Sequence, residues 1–202
     1  MTASTITIPS ELLPTDGRFG AGPSKVRAAQ VDALSRSASH YLGTSHRQST
    51  VRDQVGRVRE GLTQLFSLPE GYEVVLGNGG STAFWEVATF CLVRDRAQFL
   101  TFGEFGSKFA SSVDTAPFLS DPKVIKAEAG TAPAFEPAAG FDVYATPHNE
   151  TSTGVAITPA RVAGADGDAL MLFDATSAAG GLPVDQTESD VYYFAPQKCF
   201  AS

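Results

Sequence analysis

The 202-residue sequence predicts an α/β fold with a mostly parallel sheet flanked by helices. From residue 72 onward, short apolar segments rich in β-branched residues alternate with segments of helical periodicity. This alternation is typical of parallel strands joined by crossover helices. Several strand-like segments are continuously apolar, which predicts a sheet covered on both faces. With 43% hydrophobic residues, the chain has enough apolar material for a sizeable core.

The part of the chain before residue 72 is predicted to be an extended arm followed by two helices. Residues 1–23 are rich in Pro, Gly and Thr and are interpreted as the arm. Apolar side chains recur at helical spacing in 24–39 and 50–68, and the polar segment 42–49 between them predicts a loop.

The alternating part contains six segments that begin as strands and two helices. The predicted strands lie in 72–77, 97–103, 122–129, 141–154, 168–181 and 190–198, and the predicted helices in 83–93 and 104–113. In a parallel sheet, ligands bind beyond the carboxyl ends of the strands. The polar residues that follow these strands are therefore the candidates for a functional site.

The segment GNGGST (77–82) follows the first predicted strand and opens a helix. Glycines let the backbone come close to a ligand, and a helix N-terminus offers free N–H groups to an anion. The segment lacks the Gly-Lys-Ser/Thr ending of a P-loop. Taken alone, it is explained equally well as an ordinary turn between a strand and a helix.

Asp174 and Lys198 each follow a predicted strand, and each has an ordinary explanation as well as a functional one. Alone, Asp174 is better explained as a helix cap and Lys198 as a solvated surface residue. Together with the glycine segment they form the set that pyridoxal phosphate requires. Its phosphate needs a helix N-terminus, its pyridine nitrogen an aspartate and its aldehyde a lysine. Phe105, after the second strand of the series, would lie over the pyridine ring.

Six motifs in order resemble phosphoserine aminotransferases of the actinobacterial type. They are GRFGAGPSKVR (17–27), GTSHRQ (43–48), GNGGSTAFWE (77–86), HNETSTGV (148–155), DATSAAGGLPVD (174–185) and YYFAPQKCFAS (192–202). The resemblance runs from Gly17 to the end of the chain and covers the N-terminal part of that family. It implies the large domain of a fold-type I pyridoxal phosphate enzyme and a homodimer.

The resemblance also implies a role for each cofactor residue. Lys198 would carry the cofactor as a Schiff base, and Gln197 would hydrogen-bond the cofactor beside it. Asp174 would pair with the pyridinium nitrogen. Phe105 would stack on the ring, and Thr151 would hydrogen-bond near the ring oxygen.

Four further residues are assigned to anionic groups by the resemblance. Ser81 and Thr82 would hold the cofactor phosphate, and His46 and Arg47 would bind the acidic substrate across the dimer interface. Many relatives have an arginine in the phosphate loop where this chain has Ser81 and Thr82, and many have a tryptophan at the position of Phe105. Neither departure removes a required chemical group.

The implied reaction is a transamination between O-phospho-L-serine and 2-oxoglutarate, giving 3-phosphohydroxypyruvate and L-glutamate for serine biosynthesis. Some relatives act on a related substrate in pyridoxine biosynthesis. Relatives continue well beyond Lys198, so residues 24–202 are expected to be an incomplete large domain without the small C-terminal domain, and inactive alone. Two alternatives stay open: another fold-type I aminotransferase, such as serine–glyoxylate aminotransferase, and a non-catalytic fragment that only binds cofactor.

Composition argues against several other classes. The net charge of −7 disfavours a nucleic-acid partner, because domains that bind nucleic acid usually carry a basic surface. No apolar run reaches the length of a membrane span, and the N-terminus does not resemble a signal peptide. Three histidines and two cysteines show no metal-ligand spacing. A cytoplasmic protein without a metal site is therefore expected.

Overall fold

The computed structural model of the chain describes residues 7–14, 16 and 22–201. Its helices are α1 (Ala28–Tyr41), α2 (Ser49–Leu65), α3 (Gly80–Cys91) and α4 (Glu104–Asp114). Its strands are β1 (Ala97–Thr101), β2 (Lys123–Lys126), β3 (Val143–Pro147), β4 (Asn149–Glu150), β5 (Val155–Ala156), β6 (Leu170–Asp174) and β7 (Val191–Tyr193). Short 3-10 helices lie at Ser10–Leu12 and Gln186–Glu188.

Five of the strands form one sheet in the order β2-β1-β3-β6-β7. Every neighbouring pair in this sheet is parallel, which confirms the predicted fold class. The two short strands β4 and β5 form a separate antiparallel pair directly after β3. Because all five strands run the same way, their carboxyl ends lie along one edge of the sheet.

Alternate residues of the central strands enter two different cores, as the pleat of a strand requires. In β3, Val143 and Ala145 pack with Phe99 of β1 against α3 and α4. Tyr144, between them, packs on the opposite face with Phe173 of β6. That second face is covered by irregular segments in 135–165 rather than by a helix. The continuously apolar strands are thus buried on both faces.

The strand predicted over 72–77 is not formed, and this prediction is wrong. A strand requires a hydrogen-bonded neighbour, and within the described residues no strand pairs with this segment. Val75 is 83% exposed there. The β-branched pattern is typical of a strand, but a local pattern cannot supply the neighbour. The helix that follows also begins earlier than predicted, at Gly80.

The first two helices lie outside both cores. No residue of α1 or α2 is buried, and apolar side chains such as Val31 and Val58 remain exposed. The arm predicted over 1–23 falls largely on residues outside the described part, namely 1–6, 15 and 17–21. None of the helices in the described ranges is long and apolar enough to cross a membrane.

We expect Phe99→Ala to lower the free energy of unfolding by about 3–5 kcal/mol, because it opens a cavity in the core between the sheet and the helices. Phe99 is 1% exposed and its ring meets Phe109 of α4 with centroids 5.0 Å apart. The measurement is urea denaturation. Phe118→Ala is the matched control, since Phe118 is 53% exposed and its loss should cost less than about 1 kcal/mol. Equal losses would contradict the assigned core.

Candidate active site

A cleft of about 490 Å³ opens at the carboxyl edge of the sheet, beside the N-terminus of α3. It brings together all seven residues that the sequence predicted for the cofactor. They are Ser81, Thr82, Phe105, Thr151, Asp174, Gln197 and Lys198. These residues come from five separate stretches of the chain, and the parallel strands explain why they meet.

Asp174 is the last residue of β6 and is 7% exposed. The indole Nε1 of Trp85 donates to its Oδ2 at 3.3 Å, and the backbone N–H of Thr176 donates to its Oδ1 at 3.0 Å. Burial raises the pKa of the Asp174 carboxyl, and hydrogen bonds from Thr176, Trp85 and Tyr193 only partly offset this. Within the described ranges, no ion pair joins Asp174 to a cation. The cleft wall therefore carries a desolvated acid that a bound cation would stabilise.

Lys198 follows β7 and reaches into the cleft from the other side. Its Nζ donates to the hydroxyl of Thr151 at 3.0 Å and lies 5.7 Å from the ring centroid of Phe105. The Thr151 hydroxyl in turn donates to Ser177 Oγ at 2.9 Å. The amine is thus held beside the aromatic ring by a chain of hydroxyl groups.

Gly22 lies against the side chain of Lys198, and it can do so because it has no side chain of its own. Its φ is +140°, and a Cβ there would stand 3.0 Å from Lys198 Cγ and 3.1 Å from Cε. The neighbouring Ser24 N–H donates to the carbonyl of Gln197 at 2.7 Å. A side chain at position 22 would crowd Lys198 and force its side chain to shift by a few tenths of an ångström.

The N-terminus of α3 forms the third wall of the cleft. Gly79 occupies the N-cap position with φ +99°, and no side chain caps the helix. Ser81 and Thr82 follow in the first turn, and the Ser81 hydroxyl is hydrogen-bonded to that of Thr176. The first N–H groups of a 12-residue helix are therefore available to an anion in the cleft.

The two predicted substrate residues are not brought into this cleft. His46 and Arg47 lie in the loop between α1 and α2 and are exposed, and neither lines the cavity. Their assignment to a second subunit's site stays a prediction.

Sequence reasoning missed two contributors to the cleft, Trp85 and Thr176. Trp85 packs in the core at 5% exposure, and its indole N–H is shared between the Tyr193 hydroxyl at 3.0 Å and Asp174 Oδ2 at 3.3 Å. Thr176 links the Ser81 hydroxyl to the Asp174 carboxylate. Its place two residues after a strand-ending aspartate was an available signal, since such residues commonly donate backwards to the carboxylate.

The five-stranded parallel sheet, with a cleft at its carboxyl edge, has the fold of fold-type I aminotransferases. A phosphoserine aminotransferase from Cytophaga hutchinsonii matches with a TM-score of 0.79 and 25% identity, over 90% of this chain and 52% of that chain. A ureidoglycine–glyoxylate aminotransferase from Bacillus subtilis matches with a TM-score of 0.72 and 21% identity, over 93% of this chain and 50% of that one.

Sequence comparison gives the particular resemblance. A phosphoserine aminotransferase from a Nocardioides species is 62% identical over 198 residues, which are 98% of this chain and 53% of the relative. The chain thus spans about half the length of the curated relatives that it matches. No protein-family model matches the chain. The six motifs predicted a resemblance to phosphoserine aminotransferases, and this prediction is confirmed over the half of those relatives that the chain spans.

Asp174→Asn is expected to stabilise the cofactor-free chain at pH 7 by about 0.5–2 kcal/mol, because it removes a desolvated charge, and this gain outweighs the loss of one of the two oxygens that accept from Trp85 and Thr176. Urea denaturation of both proteins at several pH values measures the difference.

The sign of the pH dependence follows from the raised pKa. The native carboxyl of Asp174 binds its proton more tightly than the unfolded one, whose ordinary pKa is 3.8. As the pH falls through the native pKa, the wild type therefore gains stability relative to the variant. That gain is complete below 3.8. A variant that is less stable than the wild type at pH 7 would contradict the expectation that burial of the charged carboxylate lowers the stability of the wild type.

Proposed function

We propose that this chain supplies the cofactor-binding large domain of a pyridoxal phosphate-dependent phosphoserine aminotransferase. The proposed reaction exchanges the amino group between O-phospho-L-serine and 2-oxoglutarate, giving 3-phosphohydroxypyruvate and L-glutamate. One observation carries the proposal: a buried carboxylate, a lysine amine and an uncapped helix N-terminus face a single cleft. The 62% identity to a relative of that name supports the choice among aminotransferases.

The chemistry of the cleft fits pyridoxal phosphate. Asp174 is buried and makes no ion pair with any described residue, so it suits a protonated pyridine nitrogen. The N-terminus of α3, with Ser81 and Thr82, suits the phosphate because its N–H groups and dipole favour an anion. Lys198 is the amine for the aldehyde, and Gln197 lines the cleft next to it.

When bound, the cofactor supplies an electron sink for the carbanion that forms at the substrate α-carbon. The other contributions come from the chain. Lys198 Nζ is proposed to take and return the α-carbon proton, and the Thr151 hydroxyl holds that nitrogen in place at 3.0 Å. Asp174 would keep the proton on the pyridine nitrogen. Phe105 lines the cleft and would restrict the position of the ring.

We further propose that His46 and Arg47 bind the acidic substrate of a neighbouring subunit in a homodimer. Both residues are exposed, and neither lines the chain's own cleft. The guanidinium of Arg47 can bind a carboxylate or phosphate through two hydrogen bonds. The proposed partners are small acids and a second copy in the cytoplasm, without nucleic acid or membrane, and the net charge of −7 disfavours nucleic acid.

Residues 24–202 are proposed as an incomplete large domain, with 1–23 as its arm. Because the chain spans 53% of its relative, we propose that turnover needs parts of the enzyme beyond this span, including a small C-terminal domain. Conversion of O-phospho-L-serine by the purified 202-residue chain would contradict this.

A second candidate is an aminotransferase of the same fold with a different substrate pair. The structural match to a ureidoglycine–glyoxylate aminotransferase keeps this candidate in view. The complete protein should be assayed with phosphoserine and 2-oxoglutarate, and separately with serine and glyoxylate. Turnover of only the second pair would favour the second candidate.

The proposal predicts that borohydride reduction in the presence of pyridoxal phosphate attaches one pyridoxyl group to Lys198, because reduction makes a Schiff base permanent. Intact mass and peptide mapping locate the adduct. Lys198→Ala should lose it.

The matched control is Lys108→Ala. Lys108 Nζ lies 5.9 Å from the Phe105 ring centroid, close to the 5.7 Å of Lys198. It is ion-paired with Glu104 at 2.9 Å and stays exposed. Its variant should keep the adduct. If Lys108 carried the adduct, or if both variants lost it equally, the assignment of Lys198 as the Schiff-base lysine would be wrong.

A further inference from the structure

Glu150 is a fully buried carboxylate at 0% exposure, and none of the roles proposed above uses it. It lies one residue before Thr151, in the short strand β4. A buried charge needs partners. Glu150 forms no ion pair with any described residue, so its partners are hydrogen-bond donors.

Two of those four donors come from the N-terminus of α4, and the other two belong to Ser152. Oε2 of Glu150 accepts from the backbone N–H of Phe105 at 3.1 Å and from that of Gly106 at 2.9 Å. Oε1 accepts from the Ser152 hydroxyl at 2.7 Å and its N–H at 3.1 Å. The Ser152 hydroxyl also accepts from the N–H of Glu104 at 2.9 Å. Two side chains from a distant segment thus satisfy the first three N–H groups of α4.

Gly103 makes this contact possible. A Cβ at position 103 would lie 2.3 Å from Glu150 Cγ and 2.4 Å from Ser152 Oγ. Its φ of 173° is extended backbone that any residue adopts. The glycine is therefore required for space, and the space is filled by the carboxylate. A side chain that capped the helix in solvent would not require the space that Gly103 leaves for Glu150 and Ser152.

We propose that Glu150 is a positioning residue that fixes Phe105 against the cofactor cleft. The carboxylate binds the backbone of Phe105, and its own backbone leads directly into Thr151, which holds Lys198 Nζ. One buried side chain thereby sets the ring relative to the amine, which lie 5.7 Å apart. The inference rests on the proposed function, since it assigns Phe105 to the cofactor.

The test compares Glu150→Gln with Asp142→Asn in the full chain. Asp142 is the matched control because its Oδ2 likewise accepts three hydrogen bonds from the backbone, from Arg94 at 2.7 Å, Asp95 at 2.8 Å and Arg96 at 3.1 Å. It precedes β3, at the amino edge of the sheet, away from the cleft. Glu150→Gln keeps the shape but turns one of the two acceptor oxygens into a donor, and each of these oxygens faces two donors.

Two measurements are made on each protein. Amide hydrogen exchange by NMR should show loss of protection at Phe105 and Gly106 in Glu150→Gln alone. Titration with pyridoxal 5′-phosphate should give a dissociation constant about tenfold weaker in Glu150→Gln, as for other removals of a supporting group, and unchanged in Asp142→Asn. Equal weakening in both variants would assign Glu150 to stability only and overturn the inference.

A double-mutant cycle with Phe105→Leu tests the route of the effect. If Glu150 acts through Phe105, then Glu150→Gln should weaken binding little further in the Phe105→Leu background. Fully additive losses would overturn the inference. Failure of the wild-type chain to bind pyridoxal phosphate would instead contradict the proposed function, and the exchange data would still decide whether Glu150 anchors Phe105.

Discussion

The Asp174 carboxylate is buried at the end of a central parallel strand with no cation paired to it among the described residues. A desolvated acid is unfavourable in an empty cleft and favourable once a cation binds beside it. Trp85 and Thr176 donate to this carboxylate and limit the penalty without removing it. The cleft is therefore organised to stabilise a positive charge beside Asp174, with which no described residue forms an ion pair, at some expense of stability in the free protein.

The parallel sheet is what allows the other groups to reach this carboxylate. Strands that run the same way deliver Asp174, Thr151 and Lys198 to one edge, although they are distant in sequence. The N-terminus of α3 adds an anion site at the same edge. Because these groups lie at strand ends and in the connections that follow, one fold can serve different substrates, as the matches to aminotransferases of two names illustrate.

Much of this site could be predicted from the sequence because strand ends are visible in it. Asp174 and Lys198 each follow an apolar run, and the topology of an α/β sheet places such residues together. The prediction of a strand at 72–77 was wrong because a strand needs a hydrogen-bonded neighbour, and no local pattern reveals whether one is present. Glu150 was missed for a similar reason. Its burial against Gly103 is a tertiary contact over 47 residues of sequence, and a glutamate in a polar segment is typical of a solvated loop. In the proposed homodimer, the positions of His46 and Arg47 relative to the substrate would depend on a second subunit, which the sequence of one chain does not describe.

The most direct test of this account is the pKa of Asp174, followed by carbon-13 NMR of labelled aspartate in the chain with and without pyridoxal 5′-phosphate. Without the cofactor, the pKa should lie above its ordinary value of 3.8, because burial disfavours the charged carboxylate. With the cofactor bound, it should fall, because the protonated pyridine nitrogen stabilises that charge. A pKa at its ordinary value in the free chain, or one unchanged when the cofactor is bound, would contradict the claim that a bound cation stabilises the buried Asp174 carboxylate.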